Sequence, residues 1–280
     1  MNQFICLDGK IRNAAEPVLM ANNRGFRYGD ALFETMRMVA GNIPLLSLHL
    51  ERLFTSLRLF SYTIPKHFTP ELLLTYIETL CRKNRCEQAA RIRLTVFRGH
   101  GGIFENIDAF NYLIECWPLN AAAQAFNENG LVTAVFPDAH KSCDLFSNSK
   151  TANYLPYVMA ALYAKRHQLN ECFILNEKGH IADGTISNLF FIHQNIIYTP
   201  ALTEGCVAGV MRKFLINKLQ QSGLVVKETA VKLQDLENAD ELFLTNAVAG
   251  IKWVKLCVNT VYRNEQTAAF YKKFIQPVFQ

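Results

Sequence analysis

Ser147-Asn148-Ser149-Lys150-Thr151-Ala152-Asn153-Tyr154-Leu155-Pro156 sets one lysine at the end of a polar loop, with an apolar helical pattern beginning directly behind it. A lysine held among small hydroxyl and amide groups, with Phe146 and Leu155 close by, is one that burial pushes toward its neutral, nucleophilic amine. The ordinary reading of a lysine in a polar loop is a solvated side chain, so the flanking chain decides. On both sides strand and helix patterns are mixed.

The 280 residues exceed the usual single-domain length, and half of them are apolar, enough for a large core. Even ECFIL (171–175) and NLFFI (188–192) end after five residues, far short of the roughly 18 a membrane span needs. The first residues, MNQFICLDGKIRN, lack the basic head and long apolar centre of a signal peptide, so a cytoplasmic location is expected. Eight scattered cysteines without a CxxC pair read as reduced core residues, with no disulfide framework and no metal site. The net charge is only +5, and the basic residues form no run and no interleaving with aromatics. That pattern excludes nucleic acid and leaves a small anionic ligand at most.

Upstream of the lysine, residues 3–11 read as a hairpin turning at Asp8-Gly9, and 22–30 as a loop with two glycines. Residues 31–39 alternate as a strand, with Phe33, Thr35 and Arg37 on one face and Leu32, Glu34 and Met36 on the other. Leu46, Leu50, Leu53, Phe54, Leu57 and Phe60 form a buried helical stripe. His49 and Arg52 lie off that stripe on a shared face, where side chains are ordinarily solvated. A second helix covers 70–83, and strands cover 90–97, with Arg91, Arg93 and Thr95 on one side, and 111–117.

The small, polar stretch 119–127 reads as a linker, dividing the chain into domains 1–118 and 128–280. Beyond it come a strand at 131–136, a helix with Leu155, Val158, Met159 and Leu162 in one stripe, and two hairpins over 172–182 and 189–199. Asp183, in the polar segment leaving a strand end, is a candidate acid, although aspartate there commonly caps a turn. Gly209-Val210-Met211-Arg212 opens a helix running to about Gln221, and its unpaired first amides suit a phosphate.

An amine at Lys150, an acid at Asp183, a helix start at Gly209 to Met211 and a cation at Arg52 are the parts needed to hold pyridoxal 5′-phosphate. Their order and wording resemble the class IV (fold type IV) aminotransferase superfamily. The resemblance runs through RGFRYGDALFET (24–35), the HxxR of His49 and Arg52, KTxNYLP from Lys150, GxIxDGTxSNLFxI from Gly179, GVMR from Gly209 and DELFLTNAVAG from Asp240. It implies a small N-terminal α/β domain, a larger C-terminal domain of mostly antiparallel strands, and a homodimer. It further implies Lys150 as the lysine that carries the cofactor, Arg52 with the Val210 and Met211 amides at the phosphate, and Tyr154 near the cofactor hydroxyl. Ser187, Asn188, Val207, Gly209, Asn246 and Ala247 are implied in the cofactor site, and Tyr28 and Phe33 beside the substrate. The family normally has glutamate where Asp183 stands, a difference of one methylene, roughly 1.3–1.5 Å of reach.

Phe33-Glu34-Thr35 resembles the aminodeoxychorismate lyase branch, with threonine where branched-chain enzymes carry glycine, and Thr245-Asn246-Ala247 resembles that branch's loop. Arg98-Gly99-His100-Gly101-Gly102 begins like the lyase segment RGxGGRGY, but Ile103, Phe104 and Glu105 replace its RGY. Tyr154 and the KTxNYL wording lean toward the aminotransferases. The resemblance thus implies conversion of 4-amino-4-deoxychorismate, an amino acid-like substrate, to 4-aminobenzoate, a folate precursor, and pyruvate. Lys150 and Thr35 are then the catalytic residues and Arg93 and Arg98 the carboxylate candidates. Amino transfer from branched-chain or D-amino acids to 2-oxoglutarate is the alternative, and cofactor binding without catalysis a remote one.

Overall fold

The computed structural model describes residues 3–105, 109–120 and 125–280. Residues 121–124 of the expected 119–127 linker therefore lie outside the described residues. The chain forms two compact units. One comprises Met1–Ala123 with Ser149–Asn153 and Gln280, and the other Gln124–Asn148 with Tyr154–Phe279. The Lys150 segment thus belongs to the first unit.

The first unit opens with β1 (Phe4–Leu7) and β2 (Lys10–Asn13), whose two-residue turn puts Asp8 at φ 48° and Gly9 at φ 79°. That left-handed pair matches the twist of the hairpin. A short α1 (Arg24–Tyr28) occupies what the sequence suggests is loop. Asn23 Oδ1 accepts the Phe26 N–H at its start, and Gly29 ends it at φ 66°, so the cap signals were present in the sequence. β3 (Ala31–Val39), α2 (Leu46–Leu59), α3 (Pro70–Lys83), β4 (Ala89–Arg98) and β5 (Phe110–Pro118) complete the unit. Thr69 caps α3 by accepting from the Leu72 N–H, and Pro70 fills its first position, where no N–H is needed.

The five strands form one antiparallel sheet in the order β2-β1-β5-β4-β3. Leu32, Met36 and Met38 of β3 and Ile92, Leu94 and Val96 of β4 pack with Leu50, Leu53 and Leu57 of α2 and with Leu73, Ile77 and Leu80 of α3. Each such side chain contributes about 1.5–3 kcal/mol when fully buried. In the same core the sulfurs of Cys81, Cys86 and Cys116 lie within 4.8 Å of one another, and Asn84 Nδ2 donates to Cys116 Sγ at 3.2 Å. All eight cysteines carry free thiols.

The second unit contains β6 (Leu131–Lys141), α4 (Leu155–Arg166), β7 (Glu171–Asn176), β8 (Ile181–Gly184), β9 (Asn188–His193), β10 (Ile196–Pro200) and α5 (Val210–Gln221). It continues through β11 (Val226–Thr229), α6 (Leu233–Glu237), β12 (Glu241–Asn246), β13 (Gly250–Cys257), β14 (Thr260–Val261) and α7 (Glu265–Phe270). Its mixed sheet runs β11-β10-β9-β12-β13-β6-β7-β8, with β14 paired to β13. The β6–β7, β13–β6 and β10–β11 pairs are parallel and the others antiparallel.

The apolar stripe of α4 faces outward. Leu155, Val158, Met159 and Leu162 are 67, 46, 41 and 42% exposed, whereas Tyr157, Ala160 and Ala164 are buried. Among the described residues no helix is long and apolar enough to cross a membrane.

Candidate active site

In the first unit, the lysine segment lies along the free edge of β3. The Phe33 N–H donates to the Lys150 carbonyl at 2.9 Å and the Ala152 N–H to the Ala31 carbonyl at 2.8 Å, pairing Leu32 with Thr151. These backbone bonds leave the lysine side chain to be aimed by its neighbours. Lys150 Nζ sits 4.5 Å from the centre of the Phe33 ring, and the Arg93 guanidinium 3.8 Å from the same ring. A cation over an aromatic face is attracted by its quadrupole, so Phe33 organises both.

The β3–β4 register pairs Phe33 with Thr95 and Thr35 with Arg93, so Thr35 lies on the face of β3 that carries Phe33. Arg93 Nε donates to Thr95 Oγ1 at 3.2 Å. Glu115 pairs with Arg93 across β5, and burial raises its pKa against the opposing pull of Arg93 and Arg91. Arg98, the other carboxylate candidate, bonds Asp30 Oδ1 at 2.7 Å, donates to the Phe60 and Ser61 carbonyls and covers the Tyr62 ring at 4.1 Å. Tyr28 is 43% exposed, with Arg24 over its ring.

The opposite face of β3 corrects one expectation. His49 and Arg52 are not a solvated pair, because Glu34 reaches from the strand to both. Arg52 Nε and Nη2 meet its two carboxylate oxygens at 2.7 and 2.5 Å, and His49 Nδ1 lies 2.7 Å from Oε2. Burial pushes the Glu34 pKa up, yet Arg52 and His49 outweigh it and bring it to about 2.

In the second unit, Asp183 is not a turn cap. It sits buried inside β8, opposite Ile174 of β7. Its Oδ2 accepts from Lys141 Nζ at 2.9 Å, from the Tyr157 hydroxyl at 2.9 Å and from the Val207 N–H at 3.0 Å, and its Oδ1 from Asn188 Nδ2 at 3.0 Å. Burial, then the charge of Asp183, pushes the Tyr157 phenol well above its ordinary range. Tyr154 stacks on Tyr157 at 4.4 Å and donates its hydroxyl to the Thr185 carbonyl at 2.9 Å. Ser187 donates to the buried Glu171 at 2.5 Å, and burial raises the pKa of that acid.

Gly209 caps α5 without any side-chain bond, leaving the first-turn amides, including Val210 and Met211, without a side-chain cap. A Cβ on Gly209 would stand 1.8 Å from Asn188 Oδ1. Asn188 cannot swing aside freely, because its Nδ2 also serves Asp183 and the Val207 carbonyl. Gly209→Ala is therefore expected to lower stability by about 1–3 kcal/mol, the usual range for forced overpacking. A urea midpoint equal to the parent's would show that the cradle yields.

Thr245, paired with Asn188 in the β9–β12 ladder, is buried, and its Oγ1 has no hydrogen-bond partner among the described residues. An orphan hydroxyl opposite Asn188, which itself borders Gly209, suits an anionic group at the start of α5. The sequence points to Asn246 and Ala247 and gives no sign of Thr245, because β12 is buried on both faces and its pattern singles out neither. Asn246 instead accepts from the Val248 and Ala249 amides at 3.0 and 2.7 Å and shapes the turn that contains Ala247.

In the second unit, an acid, an uncapped helix start and an orphan hydroxyl are a donor set that fits pyridoxal 5′-phosphate. The family pattern of class IV aminotransferases matches residues 31–257, and the chain belongs to that family. Its members are pyridoxal 5′-phosphate enzymes, and this chain is one of them. The chain is 31% identical over 258 residues to the aminodeoxychorismate lyase of Bacillus subtilis, covering 89% of this chain and 84% of that one. It is 29% identical over 278 residues to a Methanocaldococcus jannaschii protein assigned as a branched-chain-amino-acid aminotransferase, covering 96% and 93%. The fold is that of the Thermoproteus uzoniensis branched-chain aminotransferase solved with norvaline, with a TM-score of 0.89, 22% identity and coverage of 99% and 95%.

Proposed function

We propose that the chain is a lyase acting on 4-amino-4-deoxychorismate, releasing pyruvate and leaving 4-aminobenzoate. The observation that carries this reading is Thr35, a hydroxyl on the Phe33 face of β3, paired with Arg93 where the lysine ammonium and the guanidinium share one ring. Bound pyridoxal 5′-phosphate supplies an electron sink for the carbon that bears the substrate amine.

The chain's own residues do the rest. Lys150 takes the proton from that ring carbon. The adjacent carbon–oxygen bond breaks, the ring becomes aromatic, and the departing enolpyruvyl group receives a proton on its methylene carbon from Thr35 or Lys150. One proton leaves and one is delivered, so no oxidant or acceptor is required. Arg93 holds a substrate carboxylate. For the cofactor, Asp183 is assigned to the ring nitrogen, with Asn188 and Val207 supporting it, and Tyr154 to the ring hydroxyl. The Val210 and Met211 amides, Thr245 and Arg52 take the phosphate. The outward stripe of α4 supports a homodimer.

Aminotransfer from branched-chain or D-amino acids is the second reading, supported by the near full-length likeness to the archaeal relative. Supplying aminodeoxychorismate without a keto acid and following pyruvate separates the two. Absence of pyruvate, with amine transfer from leucine or D-alanine to 2-oxoglutarate, would sink the lyase reading. In the lyase, Thr35→Gly is expected to cut the pyruvate rate by about 10²-fold, the lower end for a positioned proton donor. An undiminished rate would leave the delivery to Lys150 alone.

A further inference from the structure

Three of the eight thiols meet in the core of the first unit, and the proposed reaction uses none of them. The end of α3 brings the first two together. Arg85 stands in the left-handed region at φ 56°, its N–H donates to the Arg82 carbonyl at 3.1 Å, and the Cys86 N–H donates to the Cys81 carbonyl at 2.9 Å. These are the two bonds of a Schellman stop, which puts the side chains at the ends of the longer bond in contact. Apolar side chains ordinarily take both places, and here both are cysteines.

The third thiol comes from β5, where Cys116 pairs with Ile92 of β4. Its Sγ lies 3.6 Å from Cys86 Sγ, and the three sulfurs all lie within 4.8 Å of one another. Cys81, Cys86 and Cys116 are buried, at 0, 4 and 0% exposure. Asn84, between the first two in the chain, is anchored to β1, since its Oδ1 accepts the Gln3 and Phe4 amides at 3.1 and 3.0 Å and its Nδ2 donates to the Phe4 carbonyl at 2.8 Å. So held, Nδ2 also donates to Cys116 Sγ at 3.2 Å. An amide N–H fixed on a sulfur supports the thiolate, the form that ligates metals.

A cation about 2.3 Å from each of three sulfurs, the usual metal–thiolate length, spaces them about 4 Å apart. The triangle seen here spans that spacing. A closed zinc site needs a fourth ligand. Among the described residues no histidine, carboxylate or further thiol joins the three, and Asn84 Oδ1 is committed to β1. A set made of thiolates alone selects a soft cation such as copper(I).

We propose that Cys81, Cys86 and Cys116 form a three-sulfur site for a soft monovalent metal ion, which pins the end of α3 to β5. Thiol protons displaced on binding go to solvent and the ion stays monovalent, so no electron is transferred. An ion held by the folded chain through three separate stretches stabilises that chain.

Copper(I), supplied to the holoenzyme at one equivalent as its coloured complex with a chelator under anaerobic reducing conditions, is the probe. The parent is expected to withdraw one ion per chain from the chelator, to melt at a higher temperature with it, and to show three sulfur neighbours at the copper X-ray absorption edge. Cys86→Ala and Cys116→Ala should each weaken retention by at least about 100-fold, the upper end of what loss of a mere supporting group costs. Each should also abolish the rise in melting temperature, whereas Cys143→Ala, which removes a half-exposed thiol of the second unit, should leave both unchanged. The two cluster variants lie in different elements, so failure of one to fold leaves the other as the test. Copper left with the chelator by the parent, or retained equally by both cluster variants, overturns the site. Uptake of zinc(II) by a holoenzyme that leaves copper(I) with the chelator overturns the choice of a soft ion.

Discussion

Lys150→Ala is expected to abolish turnover of either substrate class and to remove the imine absorbance of the bound cofactor. Loss of a positioned proton acceptor alone costs about 10²–10⁴-fold in rate, and in the proposed assignment the same amine also forms the covalent link. The fold should survive, because the segment is held through main-chain groups. The Phe33 N–H to Lys150 carbonyl and Ala152 N–H to Ala31 carbonyl bonds do not involve the lysine side chain. Absorbance, melting temperature and turnover measured on the same sample check this. A variant that kept both the imine absorbance and the activity would remove Lys150 from the chemistry altogether.

Much of this arrangement can be read from the chain. The period of two along β3 separates Thr35 and Phe33 from Glu34 and Met36, and the ladder to β4 observes that division. Thr69 and Pro70 mark the start of α3 by the cap and first-turn rules. The family match agrees with the superfamily that the ordered motifs suggested.

What pairs with what across the sheets was not legible. Lys141 and Asp183 are 42 residues apart, and only the β6-β7-β8 order brings the ammonium to the acid. Glu34 lies on the apolar-looking face of β3 and gave no sign that it would draw His49 and Arg52 out of solvent. The outward stripe of α4 reverses the usual reading of helical periodicity, because the small side chains Ala160 and Ala164 set the close packing against β6 and β7. Binary pattern ranks leucine above alanine and cannot see that choice.

Glu34→Ala is expected to destabilise the first unit of the cofactor-free chain by about 3–5 kcal/mol, since it removes the carboxylate that both His49 and Arg52 bond. The glutamate's side chain is 2% exposed, that of His49 1% and that of Arg52 13%, so water cannot replace the lost acceptors easily. The depressed pKa gives an independent scale. Lowering it from the ordinary 4.5 to about 2 corresponds to roughly 3 kcal/mol favouring the ionised form in the folded chain. Because the folded value is the lower one, this stabilisation is complete above pH 4.5 and disappears as the pH falls through about 2. Denaturant unfolding of the parent and the variant should therefore differ most near neutrality and converge toward pH 2. A gap that stayed constant with pH would mean that the variant suffers from lost packing, with the carboxylate's charge contributing nothing.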